Sequence, residues 1–192
     1  MDKIKVTQLG AGKIGIGFLM AYLNWNNLDI SRIISEEGKE KAKNLKLSTK
    51  FFREWRSVIN RLLITEIADT SGALFNPDGI APEILKDVIY TKLDNGSIRD
   101  IGGVNFRDYS VQKQIGDKVL LDLTSDSVYQ TLRLAQQFGY HIIGANKIPF
   151  SSSQELYDML ASPKNGTFTG MEATVGAGLP VFETIREIRA NG

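Results

Sequence analysis

Lys3-Ile4-Lys5-Val6-Thr7-Gln8-Leu9 runs straight into Gly10-Ala11-Gly12-Lys13-Ile14-Gly15, and this junction decides the fold. The first seven residues read as a strand, and Lys13 to about Trp25 has the apolar spacing of a helix. G-x-G-x-x-G placed between a strand and a helix is the phosphate-binding turn of a Rossmann-type domain. Gly10 permits the tight turn, Gly12 lets a pyrophosphate approach the backbone, and Gly15 lets helix pack on strand. The free amides and positive dipole end of the helix then face the phosphates. Gly10, Gly12, Lys13, Ile14 and Gly15 are therefore the first candidate cofactor-binding residues, and NAD or NADP the candidate cofactor. The chain holds 18 glycines, so the hexapeptide alone says little. Its position after a hydrophobic strand is what makes it specific.

Outward from this turn, short β-branched runs alternate with amphipathic stretches, the pattern of a doubly wound parallel α/β sheet. Strands are predicted at Leu62–Ala68, Lys118–Leu123, Tyr140–Gly144 and Thr167–Met171. Helices are predicted at Ala81–Leu93, Ser127–Phe138, Ser152–Ala161 and Pro180–Ala190. A length of 192 residues suits one domain with a short extension. The composition, 42% hydrophobic and 23% charged, supports a core and a hydrated surface. A net charge of +1 gives no reason to expect nucleic acid or an anionic membrane as partner. Without cysteine the chain has no disulfide, no thiolate zinc site and no thiol nucleophile. No apolar run approaches the about 20 residues of a membrane span. The N-terminus enters a strand at once rather than a signal sequence, which makes the cytoplasm the expected compartment.

The segment from Ser35 to Arg61 fits the alternation least well. It is rich in lysine and arginine, and Phe51, Phe52, Trp55, Val58, Ile59 and Leu62 fall at helical spacing. A basic aromatic face can bind nucleic acid or lie on a membrane. The better reading is an inserted amphipathic helix docked on the sheet with its basic face in water.

An acid at the end of the second strand holds the adenosine ribose in such folds, and Asp69 stands there. It lies much further past Gly15 than the about 20 residues of a minimal unit, so the reading depends on the insertion. A turn-forming aspartate is the other reading. Facing the ribose, Asp69 would repel a 2′-phosphate and favour NAD, while a nearby Lys or Arg could reverse that preference. Gly10–Gly15, Asp69–Gly72, Thr124-Ser125-Asp126, Asn146-Lys147 and Glu172–Gly178 all follow predicted strands. In an open parallel sheet that is the carboxyl edge, where ligands bind. Hydride transfer to a carbonyl needs a group to stabilise the developing alkoxide and a proton donor. Lys147, flanked by Gly144-Ala145-Asn146 and Ile148-Pro149, is the candidate for either role; a surface lysine is the alternative. His141, the only histidine, is expected to be packed inside a strand.

Gly144-Ala145-Asn146-Lys147, followed by Met171-Glu172-Ala173-Thr174-Val175-Gly176-Ala177-Gly178-Leu179-Pro180, resembles the paired signature of homoserine dehydrogenases. Met171 stands where that family usually has tyrosine. Asp69-Thr70-Ser71-Gly72-Ala73-Leu74-Phe75-Asn76-Pro77-Asp78-Gly79 resembles the second-strand loop of archaeal-type members. Leu121-Asp122-Leu123-Thr124-Ser125 resembles the strand whose terminal threonine lies near the nicotinamide. The resemblance implies NAD(P)-dependent interconversion of homoserine and aspartate 4-semialdehyde, and a homodimer in the full-length protein. It implies that Lys147 is the active-site lysine and also touches the cofactor, and that Thr124, Ser125 and Asn146 bind it too. It further implies that Glu172 and the carbonyls of Val175, Ala177 and Leu179 hold a monovalent cation such as sodium; a turn-capping Glu172 is the alternative. Finally it implies that residues 1–180 are the cofactor domain, and that 181–192 begin the helix linking to a catalytic domain not contained in the chain. Two rivals stand beside it. One is a sugar or amino-acid oxidoreductase with the same first domain, which usually carries Glu-Lys-Pro where Asn146-Lys147-Ile148 stands. The other is a dinucleotide-binding module without catalysis. Aspartate semialdehyde dehydrogenase is excluded, because it needs a cysteine nucleophile.

Overall fold

The computed structural model describes residues 3–23, 28–45, 57–163, 165–171 and 173. The chain divides into two compact units, Met1–Tyr109 and Ser110–Gly192. Both have the α/β layering that the alternation predicts.

In the first unit, β1 (Ile4–Leu9) leads through the glycine turn into α1 (Lys13–Tyr22). After a 3-10 turn at Ile30–Arg32 come α2 (Glu36–Asn44) and β2 (Leu62–Asp69). Next are β3 (Gly72–Phe75), α3 (Pro82–Leu93), a 3-10 turn at Ile98–Asp100 and β4 (Asn105–Arg107). The strands lie in the order β4-β3-β2-β1. β1 and β2 are parallel, as read, but β3 and β4 are antiparallel additions that the local pattern does not announce. Asp69–Gly72 is thus a hairpin turn as well as the end of β2. Gly72 has φ 136°, and a side chain there would run into the Phe106 ring. Val6, Leu9, Ile64, Ile67 and Leu74 of the sheet, Leu19 and Met20 of α1 and Leu85 and Ile89 of α3 are the buried apolar core of this unit.

α2 covers the first part of the basic segment. Ser35 caps it by accepting from the Gly38 amide at 3.0 Å. Acids in its first turn and lysines in its last complement the helix dipole. Lys39, Lys41 and Lys43 pair with Glu36, Glu37 and Glu40 one turn back, so the basic face is internally balanced and faces water. The buried Gly38 and Ala42 meet α3. A methyl on Gly38 would come within 2.7 Å of the Leu93 carbonyl, so only glycine lets the two helices approach this closely. α2 packs on α3 and precedes the apolar residues from which the inserted helix was expected. Phe51, Phe52 and Trp55 lie outside the described residues.

In the second unit, β5 (Lys118–Asp122), β6 (His141–Gly144) and β7 (Thr169–Gly170) are parallel neighbours in that order. They alternate with α4 (Tyr129–Gln137), a single turn α5 (Ile148–Ser151) and α6 (Gln154–Ala161). Leu120, Ile142, Leu132, Ala135 and Leu160 make the core. The buried Gln136 amide donates to the Leu160 carbonyl at 2.8 Å and to the Thr169 hydroxyl at 2.9 Å. His141 is half-buried rather than in the core, and its Nδ1 accepts from the Phe168 amide at 2.9 Å. The helix predicted at Pro180–Ala190 lies outside the described residues. No helix among the described residues is long and apolar enough to cross a membrane.

One charge sits inside the first sheet. Glu66 on β2 is fully buried and receives the Arg107 guanidinium at 2.5 Å and the Thr7 hydroxyl at 3.3 Å. Burial pushes its carboxyl above the ordinary range despite both partners. Arg107 also lies over the Phe75 ring, 4.1 Å from its centroid. Removing one partner of a buried pair strands the other, which costs about 3–5 kcal/mol. Because Arg107 is partly exposed, Arg107→Ala is expected to lose about 3 kcal/mol, the lower end, in urea unfolding at neutral pH. A loss under about 1 kcal/mol would mean that water reaches Glu66 and the pair is not structural.

Candidate functional site: the glycine turn and the strand ends

The turn after β1 is built by a close approach. Gly10 has φ 90°, its amide donates to the Ala68 carbonyl at 2.8 Å, and its carbonyl accepts from the Gln8 side chain at 2.9 Å. A Cβ on Gly15 would lie 2.3 Å from that Gly10 carbonyl. Gly15 is therefore bare so that α1 can begin against the strand end. Gly12 caps α1, and the first helical bond runs from the Ile16 amide to its carbonyl at 2.8 Å. This leaves the amides of Lys13, Ile14 and Gly15 without an intrahelical acceptor. Around the Gly12 Cα a side chain would meet nothing within 4 Å. Open space, unpaired amides and a positive helix end coincide there, and those are the requirements of a pyrophosphate.

A cleft of about 460 Å³ adjoins the turn. It runs from Gly12, Lys13 and Ile16 past Lys41 and Asn44 of α2 to Lys92 of α3. Lys92 bonds Asp69 at 3.0 Å. The other Asp69 oxygen accepts from the Ser71 amide at 2.8 Å and the Ser71 hydroxyl at 2.6 Å. Burial opposes ionisation of Asp69, but the Ser71 donors and the Lys92 ammonium outweigh it and hold its pKa below the usual value. Asp69 ends β2 and shapes the turn that follows, and its bond to Lys92 links it to the wall of the cleft. Lys92 was not legible in sequence, where it looks like any lysine in a helix's last turn.

In the second unit the clusters after β5 and β6 form one polar knot. Asn146, buried, donates to the Asp126 carbonyl at 2.7 Å, the Thr124 hydroxyl at 3.0 Å and Asp122 at 3.1 Å. Its own carbonyl accepts from the Ile148 amide at 3.1 Å. Asp122 also accepts from the Thr124 hydroxyl at 2.7 Å and the Thr124 amide at 3.1 Å. The structure therefore commits the Asn146 side chain to protein partners and joins Thr124 to Asn146. Lys147 follows at the start of α5 with its side chain exposed, and Ser125 is exposed as well. Asp122, the centre of the knot, is the residue that sequence reasoning passed over. A charged residue closing the apolar run Val119-Leu120-Leu121 was the available signal. Glu172, Val175, Ala177 and Leu179, the proposed cation ligands, lie outside the described residues. Among the described residues no acidic or histidine cluster could hold a metal.

No family model matches the chain. Over 85 residues, 43% of the chain, it is 39% identical to the homoserine dehydrogenase of Paracoccidioides brasiliensis, 23% of that protein. Over 84 residues it is 36% identical to the bifunctional aspartokinase/homoserine dehydrogenase 2 of Escherichia coli, covering 40% of the chain and 10% of that protein. The resemblance is to homoserine dehydrogenases. Solved structures of that name share the fold: one from Thermoplasma acidophilum superposes with a TM-score of 0.61 at 19% identity. A hyperthermophilic archaeal homoserine dehydrogenase in complex with NADPH gives 0.65 at 17% identity. Each match covers 96% of this chain and 48% of the archaeal chain. The chain thus spans about half the length of these archaeal homoserine dehydrogenases, and less of the curated relatives. The Rossmann-type α/β reading of the sequence holds.

Burial pushes the Asp122 carboxyl above the ordinary carboxylate range, against the opposing pull of Thr124 and Asn146. A carboxyl with a raised folded pKa contributes most below its unfolded pKa of about 4, and that contribution is lost as pH rises through the folded value. The unfolding free energy of Asp122→Asn relative to the unmodified chain is therefore expected to improve from about pH 4 to pH 7. Denaturant titrations at several pH values would show it. A difference that stays constant, or moves the other way, would mean that Asp122 ionises as freely in the folded chain as in the unfolded one.

Proposed function

We propose that this chain is the NAD(P)-binding portion of an oxidoreductase that interconverts L-homoserine and L-aspartate 4-semialdehyde, on the way to threonine and methionine. The observation that carries the reading is the bare Gly12 at the open amides of α1, at the end of β1. The similarity to homoserine dehydrogenases supplies the substrate class. Residues 1–180 act as the cofactor domain in this reading, and 181–192 begin the connection to a substrate-binding part. The full-length protein is a cytoplasmic homodimer.

Gly10, Gly12, Lys13, Ile14 and Gly15 hold the pyrophosphate through backbone amides and the helix dipole. Asp69 receives the adenosine ribose. Its charge favours NAD, and the Lys92 ammonium beside it offsets part of that preference, in keeping with the NADPH complex of an archaeal neighbour. Thr124 and Ser125 stand at the nicotinamide. When bound, the nicotinamide takes up or returns the hydride. Asn146 ties the strand ends together and so sets where Lys147 begins α5. The Lys147 ammonium stabilises the alkoxide that develops on the substrate oxygen and supplies or recovers its proton. Glu172, with the carbonyls of Val175, Ala177 and Leu179, offers oxygen ligands that suit a hard monovalent cation such as sodium.

Substrate must be held at near-attack distance, where a misplacement of about 1 Å costs a hundredfold, and in this reading the grip on its amino group comes from the substrate-binding part. The 192-residue chain is therefore expected to be silent with homoserine, and a longer gene product that adds the substrate-binding part to turn over. In that longer protein Lys147→Ala should lower kcat at least a hundredfold, about 2.7 kcal/mol, with little change in cofactor affinity. The same assays run with NAD and NADP read the preference directly. Equal kcat in the variant would remove Lys147 from the chemistry, and turnover by the short chain would overturn the two-part assignment.

A further inference from the structure

A minimal dinucleotide unit has nothing between its first helix and second strand but a short loop. Here the intervening segment places α2 against the C-terminal end of α3, and the attachment is specific. The Asp94 carboxylate accepts from the amides of Ile34 and Ser35 and from the Ser35 hydroxyl, at 2.8 to 3.1 Å. Lys41 donates to the Asn95 side chain at 2.8 Å, and Asn95 donates to Glu37 at 3.2 Å. At Gly38 a side chain would run into the Leu93 carbonyl, so its absence lets the helices approach. Held this way, α2 turns Glu40, Lys41, Asn44 and the following Leu45 toward the cleft beside Gly12 and Ile16. At about 460 Å³ the cleft falls within the roughly 300–1,000 Å³ of small-molecule sites.

The cleft also has a direction. Its far wall includes Lys92, which is bonded to Asp69 at the end of β2. In a dinucleotide fold that strand end faces the adenosine side of the pyrophosphate. The apolar Ile16, Leu45 and Leu93 give a base something to lie on. Asn44 and Glu40 place an amide and a carboxylate at its edge, and Lys41 adds a cation.

We propose that α2 is a wall of the adenosine pocket, so that this inserted helix, and not the glycine turn alone, selects an adenine nucleotide. The proposal rests on the dinucleotide reading of the glycine turn and adds to it a recognition element outside the minimal fold.

Calorimetry on the 192-residue chain tests it with 5′-AMP and NAD as probes. The variant Lys41→Ala/Asn44→Ala gives up the exposed Lys41–Asn95 bond but keeps the buried Gly38 and Ala42 and the Asp94–Ser35 bonds, so thermal unfolding should be close to that of the unmodified chain. Binding of 5′-AMP and of NAD should weaken by the same factor, about five- to tenfold, since the lost contacts serve the half they share. A second variant, Leu45→Asp, puts a charge under the base and should weaken both further. Unchanged affinity in both variants would overturn the proposal, as would a loss confined to NAD. Gly12→Val separates the two claims. If it abolishes NAD binding while the α2 variants bind normally, the glycine-turn reading stands and the α2 wall falls. If it leaves NAD binding intact while the α2 variants lose AMP, the glycine-turn reading falls and the adenosine pocket stands. Absence of binding by the unmodified chain overturns both.

Discussion

The carbonyl of Gly10 occupies the place where a side chain on Gly15 would have to go, and much of the first unit follows from that contact. It lets α1 start at the very end of β1, and the Gln8 amide completes the turn by donating to the same carbonyl. Once α1 is fixed there, its first amides have no partner within the helix and Gly12 stands in open space. The sheet then sets what surrounds this point. β2 is parallel to β1 and ends in Asp69, α3 brings Lys92 to Asp69, and α2 closes the side of the cleft. A substitution at Gly15 would therefore act on the site through backbone geometry rather than through any lost side-chain contact.

A second device recurs at the strand ends. Asp69 at the end of β2 and Asp122 at the end of β5 each accept from the amide and the hydroxyl of the residue two positions on, Ser71 and Thr124. Asn76 and Asn165 make the same short-range turn elsewhere. Such turns fix a loop locally, without relying on neighbours far along the chain. At Asp122 the carboxylate is also buried, and Asn146 uses it to draw the ends of β5 and β6 together. Loops that would otherwise be free to move are thereby given fixed shapes where a ligand would need them.

The sequence made the first strand, the glycine turn and the first helix legible because their signals are local: an apolar run, three glycines at fixed spacing, then a helical period. α3, α4 and α6 were legible for the same reason, to within a residue or two at each end. β3 and β4 were not. Gly-Ala-Leu-Phe and Asn-Phe-Arg are too short to show a period, and what makes them strands is pairing, β3 back onto β2 across the Asp69–Gly72 turn and β4 onto β3 well upstream. The candidate site divides along the same line. Gly10, Gly12, Gly15, Asp69, Thr124, Asn146 and Lys147 could be named from motif and position. Lys92 and the α2 residues could not, because their roles come from proximity, Lys92 to Asp69 and α2 to the cleft; Asp122 was marked only as a charge closing an apolar run, and its role comes from Asn146. Glu66 and Arg107 are a further instance, an ion pair between residues 41 apart that neither strand advertises.

The central claim is that the unpaired amides at the start of α1 receive the phosphates of a dinucleotide. Titrating NAD into the uniformly 15N-labelled 192-residue chain and following its amide resonances tests this most directly. The account predicts that Lys13, Ile14 and Gly15 shift most within the first unit, downfield, as their N–H groups take up phosphate oxygens. Saturable binding that leaves those three resonances in place would contradict it.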